Sequence, residues 1–244
     1  MKPLETLRTK IFADGADKLT LLEMYHNPHI QGFTTNPTLM RKAGVKAYKS
    51  FALDILRIIK DKPISFEVFS DDFDEMYLQA LEIASWGNNV YVKIPVTNTK
   101  AEPSYDLIHH LANKGVKQNI TALMTLSQVK QTISALTLNA SAYLSVFAGR
   151  IADTGRDPVP MMRTAIEMLE PYRDVQLIWA SPRELLNIFQ ADSIGCHVIT
   201  ATYDILKKLP LIGKGLEEFS LETVKMFYED ATLAGYSLEV EMVT

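Results

Sequence analysis

Short runs rich in β-branched and aromatic residues recur along the chain, separated by longer stretches whose apolar residues return every three or four positions. The first pattern predicts strands and the second predicts amphipathic helices that bury one face. Strands are predicted at KIFAD near Asp14, GFTTN near Asn36, ISFEVF around Glu67, VYVKIP around Lys93, VKQNIT near Asn119, YLSVF around Ser145, VQLIWAS near Ser181 and HVITA near Thr200. Helices are predicted over PTLMRKAGVKAYKSFALDILRIIK, DDFDEMYLQALEIASWG and PSYDLIHHLANKG.

Eight strands alternating with helices in 244 residues predict an α/β chain closed as a single (β/α)8 TIM barrel, with a doubly wound sheet as the alternative. Glu67, Lys93, Asn119 and Ser145 follow one another at intervals of 26 residues, as repeated βα units require, although the units themselves are not alike in sequence. No Pro, Gly or Ser-rich linker divides the chain, so residues 1–244 are read as one domain. An additional C-terminal helix is expected at about 216–236, with Val224, Phe227, Tyr228 and Ala231 on one side. It either closes or covers the barrel, or packs on a neighbouring subunit.

Composition narrows the partners. The net charge of −4 is spread along the chain and leaves no basic stripe for nucleic acid or an anionic membrane, so any anion site is local. The single cysteine, Cys196, lies among apolar residues and reads as a buried structural thiol of a reducing compartment. The N-terminus lacks the apolar core of a signal peptide, and no apolar run approaches the ~18 residues of a membrane span, so a cytoplasmic protein is expected. His26, His29, His109, His110 and His197 show no metal-ligand spacing, the GKG at Gly213 is not a phosphate-binding loop, and no dinucleotide fingerprint occurs.

In a barrel, chemistry collects at the carboxyl ends of the strands. Nearly every predicted strand carries a polar residue there: Asp14, Thr34 with Asn36, Glu67, Lys93, Asn119 with Thr121, Ser145, Ser181 and Thr200. Taken singly, each has an ordinary account: Asp14 precedes Gly15 in a turn, Asn36 caps a helix, and Thr121 or Ser145 is a satisfied interior hydroxyl. Glu67 and Lys93 sit in runs that predict burial, and a structural ion pair between them competes with a catalytic role. Two acids, one lysine and several hydroxyls at one rim favour covalent amine catalysis. Desolvation favours the neutral form of an amine, a neutral lysine attacks a carbonyl to form a Schiff base, and a carboxylate then takes a proton from a substrate hydroxyl as a carbon–carbon bond breaks. Arg150 and Arg183, after the sixth and seventh strands, stand where barrels commonly bind phosphate, whereas Arg156 reads as a surface charge.

GFTTNPTLM at 32–40, Asp14 in FADGAD and VYVKIP around Lys93 resemble the transaldolase family, including its fructose 6-phosphate aldolase-like members, over about Ile11 to Tyr236. The resemblance implies a metal-free, cofactor-free barrel that moves a dihydroxyacetone unit from a ketose phosphate, sedoheptulose 7-phosphate or fructose 6-phosphate, to an aldose phosphate, as in the pentose phosphate pathway. It implies Lys93 as the Schiff-base lysine, Asp14 as the acid/base, and Glu67 with Thr121 as the pair handling a catalytic water. Thr34, Asn36, Asn119, Ser145 and Phe147 then belong to substrate binding, and Arg150, Ser181 and Arg183 to the phosphate. Glu67 and Phe147 match the transaldolases, where the aldolases resemble one another in having glutamine and tyrosine. An aldolase or a specialised transaldolase with another acceptor is the alternative, and a non-catalytic sugar-phosphate binder a remote one. A homo-oligomer is expected. Three departures stand out: Val146 replaces a proline, Pro182 precedes Arg183 in ASPR, and Lys100 and Glu102 occupy a segment expected to contain glycine.

Overall fold

The computed structural model of the chain describes residues 3–238. Eight parallel strands close into a barrel in sequence order: β1 Lys10–Asp14, β2 Ile30–Thr34, β3 Ile64–Glu67, β4 Val90–Pro95, β5 Gln118–Leu123, β6 Ala142–Val146, β7 Val175–Trp179 and β8 Val198–Thr202, which returns to β1. The expected (β/α)8 architecture is the one found. Helices α1 Lys18–His26, α2 Pro37–Lys42, α3 Tyr48–Leu56, α4 Phe73–Ala84, α5 Tyr105–Asn113, α6 Leu126–Ala135, α7 Ala148–Ala152, α8 Val159–Leu169, α9 Leu186–Ser193 and α10 Tyr203–Leu206 alternate with them.

The strands are read so readily because both their faces are buried, one against helices and one inside the barrel. Period two then sorts the interior into levels. Phe12, Tyr143, Ile178 and Val198 form a buried apolar floor with Tyr91 packed against it, and the Phe12 and Tyr143 rings meet edge to face with centroids 5.6 Å apart. Gly32 makes room for this floor, since a Cβ at that position would lie 2.5 Å from the Phe12 ring. Two residues further along the same strands the interior turns polar, with Asp14 on β1, Lys93 on β4, Ser145 on β6 and Thr200 on β8. Register sets their height: Asp14 pairs with Thr34, Glu67 with Lys93, and Lys93 with Asn119.

On the outside, α4 buries Met76, Ala80 and Ile83, and α5 buries Leu107, Ile108, Leu111 and Ala112. Each of these leucine, isoleucine and methionine side chains contributes about 1.5–3 kcal/mol on leaving water. Asp72 caps α4 by accepting from the Glu75 N–H, and Thr125 with Gln128 forms a complete capping box on α6.

The sequence reads 37–60 as one helical stretch, but the structure divides it into α2 and α3. Gly44, at φ +72°, ends α2 where the Val45 N–H turns back to the Met40 carbonyl, and the break allows Tyr48 to begin a separate helix.

Residues 210–238 belong to a second compact unit. Its main element, α11, spans Leu216–Leu233, ending short of the expected 236, and Val224, Phe227 and Tyr228 on it are exposed. Within this unit Lys214 pairs with Glu222 and lies 5.1 Å over the Phe219 ring. No helix among the described residues is long and apolar enough to cross a membrane.

Candidate active site

The carboxyl ends of the strands surround a cavity of about 500 Å3. Asp14, Thr34, Asn36, Glu67, Lys93, Thr121, Ser145, Phe147, Arg150, Ser181 and Arg183 all line it. Of the candidates named from sequence, Asn119 alone is missing from the lining. It is fully buried one step behind, where its amide donates to Ser65 Oγ at 2.9 Å and its carbonyl accepts from Ser145 Oγ at 2.7 Å. Asn119 therefore fixes the Ser145 hydroxyl instead of facing the cavity.

Lys93 is 6 % exposed, and its ammonium donates to Glu67 Oε2 at 3.0 Å and to the Thr35 carbonyl at 2.9 Å. The ion pair weighed from sequence is thus present, formed because β3 and β4 place both residues in register on the same inward face. Its presence does not make it merely structural, because both partners also line the open cavity. For the amine to attack a carbonyl it must lose a proton, and the Glu67 carboxylate is within hydrogen-bond distance to take it.

Glu67 is itself held by a residue that the sequence reading missed. The Tyr48 hydroxyl donates to the Glu67 carbonyl at 2.7 Å and accepts from the Glu67 N–H at 2.8 Å, finishing the end of β3 with a side chain where the β2–β3 ladder has stopped. Burial pushes the Tyr48 phenol well above its ordinary range, so it stays a neutral donor. Nothing in AYKSFALDIL marks this contact, which depends on the break at Gly44.

Asp14 stands in the same cavity. Burial raises its carboxyl above the ordinary value near 3.8, while the Lys93 charge and the Thr34 hydrogen bond oppose the rise. Thr34 donates to Asp14 Oδ1 at 2.7 Å and lies 2.6 Å from the Thr200 hydroxyl. An ionised carboxylate only accepts, so Thr34 gives it its proton and in turn accepts from Thr200. Thr34, assigned to substrate binding by resemblance, is here engaged with Asp14.

Thr121 is 2 % exposed and its hydroxyl has no hydrogen-bond partner among the described residues. A buried orphan hydroxyl is costly unless something else uses it. Next to it, Ala122 adopts φ +63° where the β5–β6 register shifts, a strained backbone at the cavity wall that the sequence does not reveal.

Asn36 caps α2 by accepting from the Leu39 N–H at 2.9 Å, and among the described residues its amide nitrogen has no partner at the cavity. Arg150 lies 5.6 Å over the Phe147 ring, and Arg183 is paired with Asp153. Of the departures, Val146 is fully buried on the outward face of β6, opposite Trp179, so it alters the barrel wall and not the cavity. Pro182 follows Ser181 at φ +58°, a left-handed conformation that swings the chain toward α7. Lys100 and Glu102 belong to a turn tied to Asn98, outside the cavity lining.

Cys196 is buried and its thiol pushed up to about 12, an inert group. His26, His109 and His197 each engage nearby protein groups, and among the described residues no three His, Cys, Asp or Glu side chains are grouped to hold a metal ion.

The family described as Transaldolase/Fructose-6-phosphate aldolase matches residues 11–239. A probable transaldolase of Dehalococcoides mccartyi is 33 % identical over 214 residues, covering 86 % of this chain and 95 % of that protein. One from Streptococcus agalactiae is 34 % identical over the same length and shares. Another, from Syntrophomonas wolfei, is 31 % identical over 222 residues, covering 89 % of this chain and all of its own. The crystal structure of 2,3-dimethylmalate lyase, a PEP mutase/isocitrate lyase superfamily member, superposes with a TM-score of 0.55 at 14 % identity over 99 % of this chain and 89 % of that one, a likeness of fold alone.

Proposed function

The chain belongs to the transaldolase/fructose-6-phosphate aldolase family, and from that premise we propose that it transfers a dihydroxyacetone unit between phosphorylated sugars through a Schiff base on Lys93. One observation carries the reading: a buried lysine, hydrogen-bonded to Glu67 at 3.0 Å, opens into the same cavity as a second carboxylate, Asp14.

Lys93 passes a proton to Glu67 and attacks the ketose carbonyl. The carbinolamine then loses water, for which Glu67 supplies the proton and the unpartnered Thr121 hydroxyl holds the leaving oxygen. In the iminium, Asp14 takes the proton of the hydroxyl on the far carbon of the bond to be broken. That bond's electrons flow into the iminium, an aldose leaves, and an enamine stays on Lys93. An incoming aldehyde is attacked by the enamine while Asp14 returns the proton to its oxygen, and water releases the new ketose. The iminium formed on Lys93 is the electron sink, so the reading needs no cofactor. Ser145, oriented by Asn119, and Asn36 hold the three-carbon unit, while Arg150 and Arg183 meet the phosphate.

Glu67 and Phe147 at the cavity support transfer over release of free dihydroxyacetone. The test is a product assay with fructose 6-phosphate, with and without erythrose 4-phosphate. A new seven-carbon ketose phosphate only when the acceptor is present supports transfer, whereas equal release of dihydroxyacetone in both overturns it.

A further inference from the structure

The loops after β6 and β7 are locked together behind the cavity. Gly149, at the start of α7, lies so close to the Ser181 carbonyl that a Cβ would sit 1.5 Å from its oxygen, and its N–H donates to the Ala180 carbonyl at 3.2 Å. Ser181 at φ +58° and the buried Pro182 carry the chain over this point, and Asn187 Oδ1 accepts from the Arg183 N–H at 2.8 Å. At the far end of α7, Asp153 takes the Arg183 guanidinium in a two-pronged contact: Nε donates to Oδ1 at 2.9 Å and Nη2 to Oδ2. Arg183 lines the cavity and Asp153 does not.

Both side chains are about half exposed, 48 % and 51 %, so the pair adds little to folding stability. Its geometry is better matched to orientation. A guanidinium has five N–H donors, and spending two on Asp153 leaves three on the edges away from it. Given the sugar-phosphate reading above, on which this inference rests, we propose that Asp153 is a positioning residue for phosphate recognition, holding Arg183 with its free edge toward the substrate's phosphate.

Two effects of removing Asp153 oppose each other. An unanchored Arg183 must be ordered on each binding event, a cost that corresponds to about a two- to tenfold loss of affinity. Loss of a negative charge also eases the approach of a phosphate, but both side chains of the pair are about half exposed, where water keeps charge–charge terms small. The loss of order therefore sets the sign.

The experiment follows borohydride trapping on Lys93 in the full chain as a function of donor concentration, with fructose 6-phosphate and with unphosphorylated fructose, in wild type, Asp153→Asn and Asp153→Glu. The half-saturating concentration of fructose 6-phosphate, relative to that of fructose, is expected to rise about two- to tenfold in Asp153→Asn, with maximal trapping retained and Asp153→Glu recovering part of the loss. A ratio that is unmoved or lowered in Asp153→Asn, or an equal rise for both donors, overturns the role of Asp153 while wild-type trapping leaves the sugar-phosphate reading standing. Wild type that traps neither donor overturns that reading and the role of Asp153 with it.

Discussion

Replacing Glu67 by Gln keeps the side chain's size and removes its charge. In the native chain the Lys93 ammonium has two protein partners, Glu67 at 3.0 Å and the Thr35 carbonyl at 2.9 Å, and the side chains of the pair are only 7 % and 16 % exposed. Breaking a buried ion pair from one side costs about 3–5 kcal/mol, because the remaining charge is left desolvated. Asp14, which also feels the Lys93 charge, and the retained carbonyl contact place the cost at the lower end, about 3 kcal/mol. For a chain of this size that is a fall in Tm of about 6–12 °C, read by calorimetry at pH 7. Replacing both members at once, Lys93→Met with Glu67→Leu, removes the orphaned charge and recovers most of the loss, since apolar substitutes of similar volume are often neutral or stabilising. Activity separates from stability here: Glu67→Gln removes a proton acceptor and lowers the rate of trapping on Lys93 by about 10²–10⁴-fold, and the double variant has no amine to trap. A Tm within 2 °C of wild type for Glu67→Gln, or a double variant less stable than the single one, would refute the account of Lys93 as a buried charge held by Glu67.

Thr121→Val removes a buried hydroxyl that has no partner among the described residues, so Tm is expected to hold or rise by the equivalent of up to about 1 kcal/mol while turnover falls; turnover equal to wild type would refute its proposed work on the catalytic water. Tyr48→Phe strips both hydrogen bonds from the Glu67 backbone, costs about 1–3 kcal/mol by thermal denaturation, and slows trapping on Lys93; a neutral substitution would refute its positioning of Glu67. Burial holds Asp14 protonated to higher pH than an ordinary aspartate, so its basic form is lost as pH falls through a value above 3.8, and the acid limb of the kcat profile is expected there. Thr34 favours the ionised form, so Thr34→Val moves that limb further up, and a downward move would refute the contact's role. Light scattering is expected to give a multiple of 27.4 kDa; a single monomeric mass would refute the expected homo-oligomer.

The barrel was legible because each strand is a short, nearly all-apolar run, a consequence of burial on both faces, and because polar residues fall at the carboxyl end of nearly every one. Equal spacing between Glu67, Lys93 and Asn119 follows from equal βα units, and register converts that spacing into one level of the barrel. What sequence did not reveal depends on backbone turns and on contacts between distant residues. Gly44 inside a helical pattern did not announce that α3 would start afresh and aim Tyr48 at β3. Asn119 obeys the inward period of its strand yet is covered by Ser145, a matter of depth that periodicity does not encode. The grip of Asp153 on Arg183 follows from Gly149 and from the left-handed Ser181, neither visible as a pattern in FAGRIAD or WASPREL. Pro182 reads as a disruption in sequence, whereas in the fold it sits buried at the point where the two loops meet.

The central claim is that Lys93 forms a covalent imine with a ketose phosphate. Its most direct test is borohydride reduction of the full chain with fructose 6-phosphate, followed by peptide mass spectrometry. The account predicts a reduced three-carbon adduct on the peptide containing Lys93, absent from Lys93→Met. No adduct in the wild-type chain, or one that persists in Lys93→Met, would contradict it.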